Sequence, residues 1–431
     1  MKNKIVKFKD IYDTAYYSQQ EIDIEKIFNQ LYGMLEPIDY EGITSTDIFL
    51  LQLQTIELLS SMEKDSHKHA LTNLETLKSN TIHDNDALSL IKALELQANF
   101  KYKEAHFIYR NLLHNNPRNR LSFFALHMLE FNLGWQKHML ETSRIVVNSL
   151  KDSTDTYYGY AKGIESFSLV ENGIYEEAKD AANIALQING KDIYAIHAMC
   201  HYFYETGKYN EGIIWMEKIK ENWIFNKGMR IHVWWHLAVF HLFNLNLEEV
   251  KNIMINEIMC KNYEDGLEDL DATALLWRLY LLDEKNIEFY ETLDNWDDYL
   301  KNSHFIFNDL HALMAYALKN DTEKIELCIE NAKAREHNLI KDDHLNLLYG
   351  FYYFAKQNYK NASERLKTTL NTTNFGGSNA QRDVISLTLF ISLLKSNRNN
   401  EAKILLETDR AFKNSSKMKE KLMNKLGDVH Y

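Results

Sequence analysis

The sequence predicts an all-α protein, a solenoid of stacked helical hairpins closed at its start by a helical cap. Three observations carry this. The chain of 431 residues holds only 2 prolines and 15 glycines, against roughly twenty and thirty in ordinary usage. Long stretches place apolar residues three and four apart, as amphipathic helices require. Short motifs also recur at a fixed offset, the mark of a repeat architecture. The proline and glycine shortage removes collagen-like repeats, proline-rich linkers and β-sandwiches built on frequent tight turns. A hydrophobic share of 45% with 26% charged residues supplies a large core and excludes a disordered chain.

Taken in order, residues 1–84 read as the N-terminal helical cap and residues 85–431 as the repeat solenoid with a concave polar pocket. The first repeat is marked by Ala93, Ala105 and Pro117, each twelve residues after the last. They fit the small residue of a first helix, the small residue of a second, and the proline that closes the hairpin. Apolar spacing then runs from Leu150 to Leu186. Gly173, Tyr175 and Ala178 return as Gly207, Tyr209 and Gly212, an offset of 34 residues at each position. Thirty-four is the period of a tetratricopeptide repeat, so the expected fold is a right-handed α-solenoid of that kind. Val233 to Met254 continues the helical spacing, and Gly350, Tyr359 and Ala362 form a weaker copy. Glu401 and Ala402 open a last degenerate helix. Asn189-Gly190, Glu205-Thr-Gly207, Asn320-Asp321 and Ser396 to Asn400 read as turns between helices. A glycine-rich break, Asn374 to Asp383, precedes an apolar helix from Val384 to Leu394.

The formal net charge is −12, and no basic face is evident for a phosphate backbone, so nucleic acid is not expected as a partner. The basic clusters at Lys2–Lys9 and Lys413–Lys425 read as solvated ends. Cys200, Cys260 and Cys328 are odd in number and widely spaced, which suits reduced thiols in a cytoplasmic protein. The N-terminal residues lack the apolar core of a signal peptide. No run of about eighteen apolar residues predicts a membrane span. The aromatic content permits a homodimer without requiring one.

The sharpest chemistry lies in two H-x-x-x-H steps, His197 with His201 and His232 with His236. Residues four apart share a helical face and can chelate one metal. Repeat phasing points both pairs one way. If Gly212 is a second-helix small residue, Cys200 takes the matching first-helix position between His197 and His201. If Val250 plays the same part, Ala238 follows His232 by six and His236 by two. Both pairs then face one cavity from adjacent repeats, with zinc or iron as the metal. Further on, Asp309 and His311 precede a helix expected from Ala312 to Leu318; Asp309 reads equally as its N-cap. The segment ending in Gln381, Arg382 and Asp383 either caps the next helix or sets Arg382 and backbone N–H groups against an anion. Trp234, Trp235 and Trp277 read mainly as core, with a pocket wall as the alternative. No P-loop, zincin or serine-elbow spacing occurs.

The chain resembles the tetratricopeptide repeat protein 38 family at Tyr160 to Phe167, at His197 with His201, and at His232 to His236. The likeness continues through Asp271 with Leu276 to Arg278, then Phe307 to His311, then Gly376 to Asp383. The blocks keep the family's order from about residue 85 onward, while the first eighty residues match poorly. The resemblance implies a helical-repeat fold and supplies no settled activity. Its recurring residues are polar types that packing does not need and a polar pocket does.

Two functions follow as expectations. The first is a pocket for a small polar or anionic ligand, with a metal-assisted, hydrolase-like reaction. His197, His201, His232 and His236 would hold the metal, and His201, His236, Asp309 and His311 would act in catalysis. Ser378, Gln381, Arg382, Asp383, Trp235, Asp271 and Arg278 would line the ligand. The second is a non-catalytic scaffold gripping a partner peptide in the groove.

Overall fold

The computed structural model describes residues 5–19, 22–80, 82–150, 155–259, 266–284, 293, 296–335 and 342–427. Cys260 and the first residues of the N-terminal basic cluster lie outside these. Helices dominate the described residues, and none of them is long and apolar enough to cross a membrane.

The predicted helical cap does not begin as a helix. Two short strands, β1 (Val6–Lys9) and β2 (Ala15–Ser18), pair antiparallel with Val6 opposite Ser18 and Lys9 opposite Ala15. The turn between them is fixed by Asp10, whose Oδ1 accepts the N–H groups of Tyr12 and Thr14, each at 2.9 Å. Asp13 completes it in the left-handed region. Such side-chain-to-backbone bonds divert the chain from helix. Three helices follow: α1 (Ile24–Gly33), α2 (Ile48–Ser60) and α3 (Lys64–Ser79). Phe8, Tyr16, Phe28 and Phe49 join ribbon to helices through ring contacts of 5.1–6.3 Å.

From residue 85 the chain runs as helical hairpins. The helices are α4 (Asn85–Ala98) and α5 (Tyr102–Asn115), α6 (Arg120–Asn132) and α7 (Gln136–Ser149), and α8 (Thr156–Glu171) and α9 (Tyr175–Ile188). Then come α10 (Ile193–Glu205) and α11 (Tyr209–Lys218), α12 (Arg230–Phe243) and α13 (Leu247–Ile253), α14 (Gly266–Leu281) and α15 (Trp296–Lys301). The last are α16 (Ile306–Leu318) and α17 (Thr322–Lys333), α18 (Asp342–Ala355) and α19 (Tyr359–Lys367), α20 (Asn379–Lys395) and α21 (Asn399–Thr408), with α22 (Lys417–Gly427) at the end.

Among the described residues, nine turns inside this series share one device. Phe100, Gly134, Gly173, Gly207, Leu245, Asp283, Asn320, Gln357 and Asn397 all adopt positive φ. At each, the left-handed residue's N–H returns to the carbonyl three residues back and the next N–H to the carbonyl five residues back. Gly207 to Tyr204 at 3.1 Å with Lys208 to Phe203 at 2.9 Å is one example, and Leu245 to Leu242 with Asn246 to His241, both at 2.9 Å, is another. This pair of bonds satisfies the last carbonyls of a helix and reverses the chain. The turns fall 34 to 40 residues apart, so the 34-residue offset is the lower end of a variable spacing. Longer helices and connections in most hairpins add the difference.

The chain divides into two compact units: Met1–Met199 with Phe225–Gly228, and Cys200–Ile224 with Met229–Tyr431. The division falls within the continuous helix α10. In the first unit, consecutive helices from α4 to α9 pack against one another, and Ala93 and Ala105 are fully buried between them. In the second, α12 packs on α14, α14 on α16 and on α20, and α16 through α21 pack in succession. The predicted small position Gly212 holds up as a packing constraint. A Cβ there would stand 2.7 Å from the Phe240 ring, so the missing side chain admits a buried aromatic.

Candidate metal centre

The site is built on two consecutive first helices. Asp192 starts α10 by accepting the Ala195 N–H at 3.0 Å. His197 and His201 then follow on one face, a turn apart. Helix α12 carries His232 and His236 with the same spacing. Cys200, Ala238 and Val250, the phased packing positions, are all inaccessible to solvent. This turns the histidines off the hairpin seam and toward one another.

One ligand atom from each of His197, His201, His232 and His236 lies within 4.8 Å of the other three. Nitrogens around a tetrahedral zinc stand about 3.3 Å apart, given bonds of about 2.0–2.1 Å, so a small rotation of the rings closes the set on an ion. His201 and His236 are fully buried, and His197 and His232 are 7% and 8% exposed. The His201 and His236 rings meet edge to face at 4.6 Å, and His232 meets His236 at 4.8 Å. Asp271 on α14, fully buried, faces His232 Nδ1 with both oxygens at 3.0 Å. An Nδ1–H donated to that carboxylate puts the lone pair on Nε2, the arrangement that orients metal-binding imidazoles. Trp235 lies flat on His232, at 5.4 Å and 8°. Phe167 stacks on His197 at 5.2 Å.

The other predicted site residues have different employment. Helix α16 starts at Ile306 with Phe305 as its N-cap, so Asp309 and His311 sit inside the helix and Asp309 does not cap it. Asp309 is ion-paired to Arg335 at 2.5 Å and accepts from Ser303 at 2.8 Å and Tyr299 at 2.9 Å. Burial raises its pKa against the pull of Arg335. His311 Nδ1 lies 2.7 Å from the Phe307 carbonyl, and burial lowers its pKa to about 4. The two side chains thus have separate partners among the described residues. Spacing alone could not separate them, because the ion-pair partner Arg335 lies just beyond the end of another helix, α17.

In the glycine-rich segment, the helix-capping alternative is the one realised. Ser378 Oγ accepts the Gln381 N–H at 3.3 Å, and Gln381 Oε1 accepts the Ser378 N–H at 2.9 Å, a reciprocal capping box. Arg382 donates to the carbonyls of Gly376 and Gly377 and to Asn379 Oδ1. That spends on the chain itself the guanidinium expected to face an anion. Asp383 accepts from Tyr204 at 2.6 Å and pairs with Arg410; burial raises its pKa, opposed by Arg410. Arg278 donates to the Ala274, Ala380 and Gln381 carbonyls and lies 5.3 Å over the Trp235 ring. It ties the start of α20 to the tryptophan that backs His232. Trp277 is core, its indole N–H donating to Thr388 at 2.9 Å. Tyr204, Arg335 and Arg410 carry no spacing signal and escape a reading by motif.

Fold and site together define a class: a helical-hairpin repeat protein with a buried four-histidine centre backed by a carboxylate. No family model matches the chain.

Proposed function

We propose that this chain is a metalloprotein that uses a zinc or iron ion, held by His197, His201, His232 and His236, in a reaction on a small polar substrate. The observation that carries this is the convergence of four buried imidazoles within 4.8 Å. Four mutually close, buried polar rings cost folding free energy unless a ligand or hydrogen bonds offset it. The donor set also speaks to the kind of chemistry. Imidazoles are neutral and leave the ion's charge largely intact, whereas structural zinc centres rely mainly on thiolates. The two described cysteines, Cys200 and Cys328, are buried elsewhere in the packing, with Cys200 3.8 Å from the Met216 sulfur.

A bound ion would supply Lewis acidity and a water of lowered pKa. The protein's part is to fix the ligands: Asp271 sets the His232 tautomer, and Trp235 and Phe167 hold ring planes. Burial excludes bulk water. The residual exposure of His197 and His232 marks the side from which a substrate would approach. The affiliation with the tetratricopeptide repeat protein 38 family belongs to this proposal, since its recurring blocks contain all five residues of the centre. The peptide-scaffold alternative is less well supported, because gripping side chains must be open to the groove and these four are buried.

Elemental analysis of tag-free protein tests the proposal. About one transition-metal ion per chain is expected, lost when His201 and His236 are both replaced by alanine while helicity is kept. Folded wild-type protein that neither carries nor takes up zinc or iron would overturn it.

A further inference from the structure

A second site lies in the first unit, independent of the histidines. A cleft of about 70 Å³ opens among the β-ribbon turn, α1, α6 and the start of α8. Its walls are aromatic: Phe28, Tyr32, Tyr157 and Tyr160 all line it. Tyr32 stacks on Tyr160 at 5.6 Å and 16° and meets Tyr157 edge to face at 5.5 Å. Glu25 and Asp155 line the same cleft. Ile11 and Asn29 are its exposed members and mark its mouth, with Glu25 half-buried beside them.

The charge balance is negative. Arg120 is 2% exposed and is held by Glu25 through two bonds of 2.7 Å and by Asp10 at 3.0 Å. Its guanidinium lies 3.9 Å over the Phe28 ring. Among the lining residues Arg120 stands against two carboxylates, Glu25, to which it is paired, and Asp155. Arg118, 5.6 Å over Tyr12, is exposed and bonded to the Ser149 carbonyl at 2.9 Å. Asp155 accepts from the Tyr12 hydroxyl and from the Tyr158 N–H, which fix its side chain at the start of α8. The Tyr157 hydroxyl is buried, with the Tyr32 hydroxyl beside it and no other hydrogen-bond partner among the described residues.

We propose that this cleft binds the ammonium end of a primary or methylated alkylamine. Aromatic faces attract a cation through the ring quadrupole, and Asp155, Glu25 and the Tyr157 oxygen accept its N–H groups. The volume admits a head group of a few heavy atoms, and the open mouth lets an alkyl stem leave. Arg120 already shows what the wall favours, a cation laid on an aromatic face. A free alkylamine and a lysine side chain of a partner protein share this chemistry.

Calorimetric titration of the full chain with propylamine, with a short peptide bearing one lysine, and with neutral propanol tests the proposal. Propylamine binding without the peptide identifies a small-molecule site, and tighter peptide binding identifies a protein partner; either supports the cleft. Asp155→Asn keeps the helix cap, since asparagine caps as well as aspartate, and is expected to weaken amine binding at least ten-fold. Tyr157→Phe, which keeps the ring, is expected to weaken it several-fold. Absence of amine binding, equal binding of propanol, or full affinity in the Asp155→Asn chain with unchanged thermal stability would each overturn the proposal.

Discussion

His232 and Asp271 show most directly how one residue conditions another in this protein. The carboxylate is fully buried and its two oxygens stand equally far from Nδ1, so it can hold only one tautomer of the ring. Asp271→Asn keeps the shape but gives up the charge. The expected result is a ten- to hundred-fold loss of metal affinity, in line with other carboxylates behind ligating histidines. Competition against a chelator of known affinity measures it, and an unchanged affinity would remove Asp271 from the centre. At the same scale the reading of Arg382 is corrected by its acceptors. A guanidinium that serves two glycine carbonyls and Asn379 is part of the loop's own hydrogen bonding, and only the folded loop displays those carbonyls.

Among elements, the repeated turn carries the lesson. Three of the nine left-handed turn residues are glycine; the other six are Phe100, Leu245, Asp283, Asn320, Gln357 and Asn397. A side chain in this conformation costs roughly 1–2 kcal/mol, and the two returning hydrogen bonds offset it. Gln357 is exposed, so Gln357→Gly removes the strain without opening a cavity. It is expected to stabilise the fold by about 1 kcal/mol, read as a higher denaturation midpoint with an unchanged slope. A lower midpoint would mean that the glutamine makes a compensating contact. The same substitutions explain why the repeat was only partly legible. Gly173 and Gly207 announced themselves, whereas a turn at Leu245 or Phe100 looks like ordinary helix in sequence. Gly377 marks the opposite case: φ is +75°, and a Cβ would meet the Phe307 ring at 2.3 Å, so both conformation and space demand glycine there.

For the whole molecule, buried titratable groups set the pH range of stability. His127 and His311, one in each unit, are held neutral by burial, with pKa values lowered to about 4. The unfolded chain takes up these protons near 6.5, so each contribution is full above pH 6.5 and is lost as pH falls toward 4. Burial raises Glu130 to about 8 and Asp192 to about 7. Their neutral forms favour the folded state, so that stability is full below pH 4 and declines as pH rises through those values. His106, lowered to about 4 mainly by burial, offsets part of the Glu130 slope on the acid side. Thermal unfolding midpoints should therefore peak near pH 6.5. His127→Phe is expected to flatten the acid limb and Glu130→Gln the alkaline one; limbs unchanged by both would show that these groups do not govern the pH range.

The all-helical class was settled by composition and spacing alone, because a chain so poor in proline and glycine, with apolar residues three and four apart, has no other way to bury its surface. The pairing of the four histidines was also legible, since a four-residue step on a helix fixes a common face. Tertiary structure decided what spacing cannot encode: the ribbon at the start of the cap, the variable hairpin length, and the partners of Asp309, Arg382 and Asp383. Tyr204 meets Asp383 across 179 residues and Arg335 meets Asp309 from beyond α17, so these partners depend on where helices pack; the acceptors of Arg382 lie within six residues but are displayed only by the folded loop.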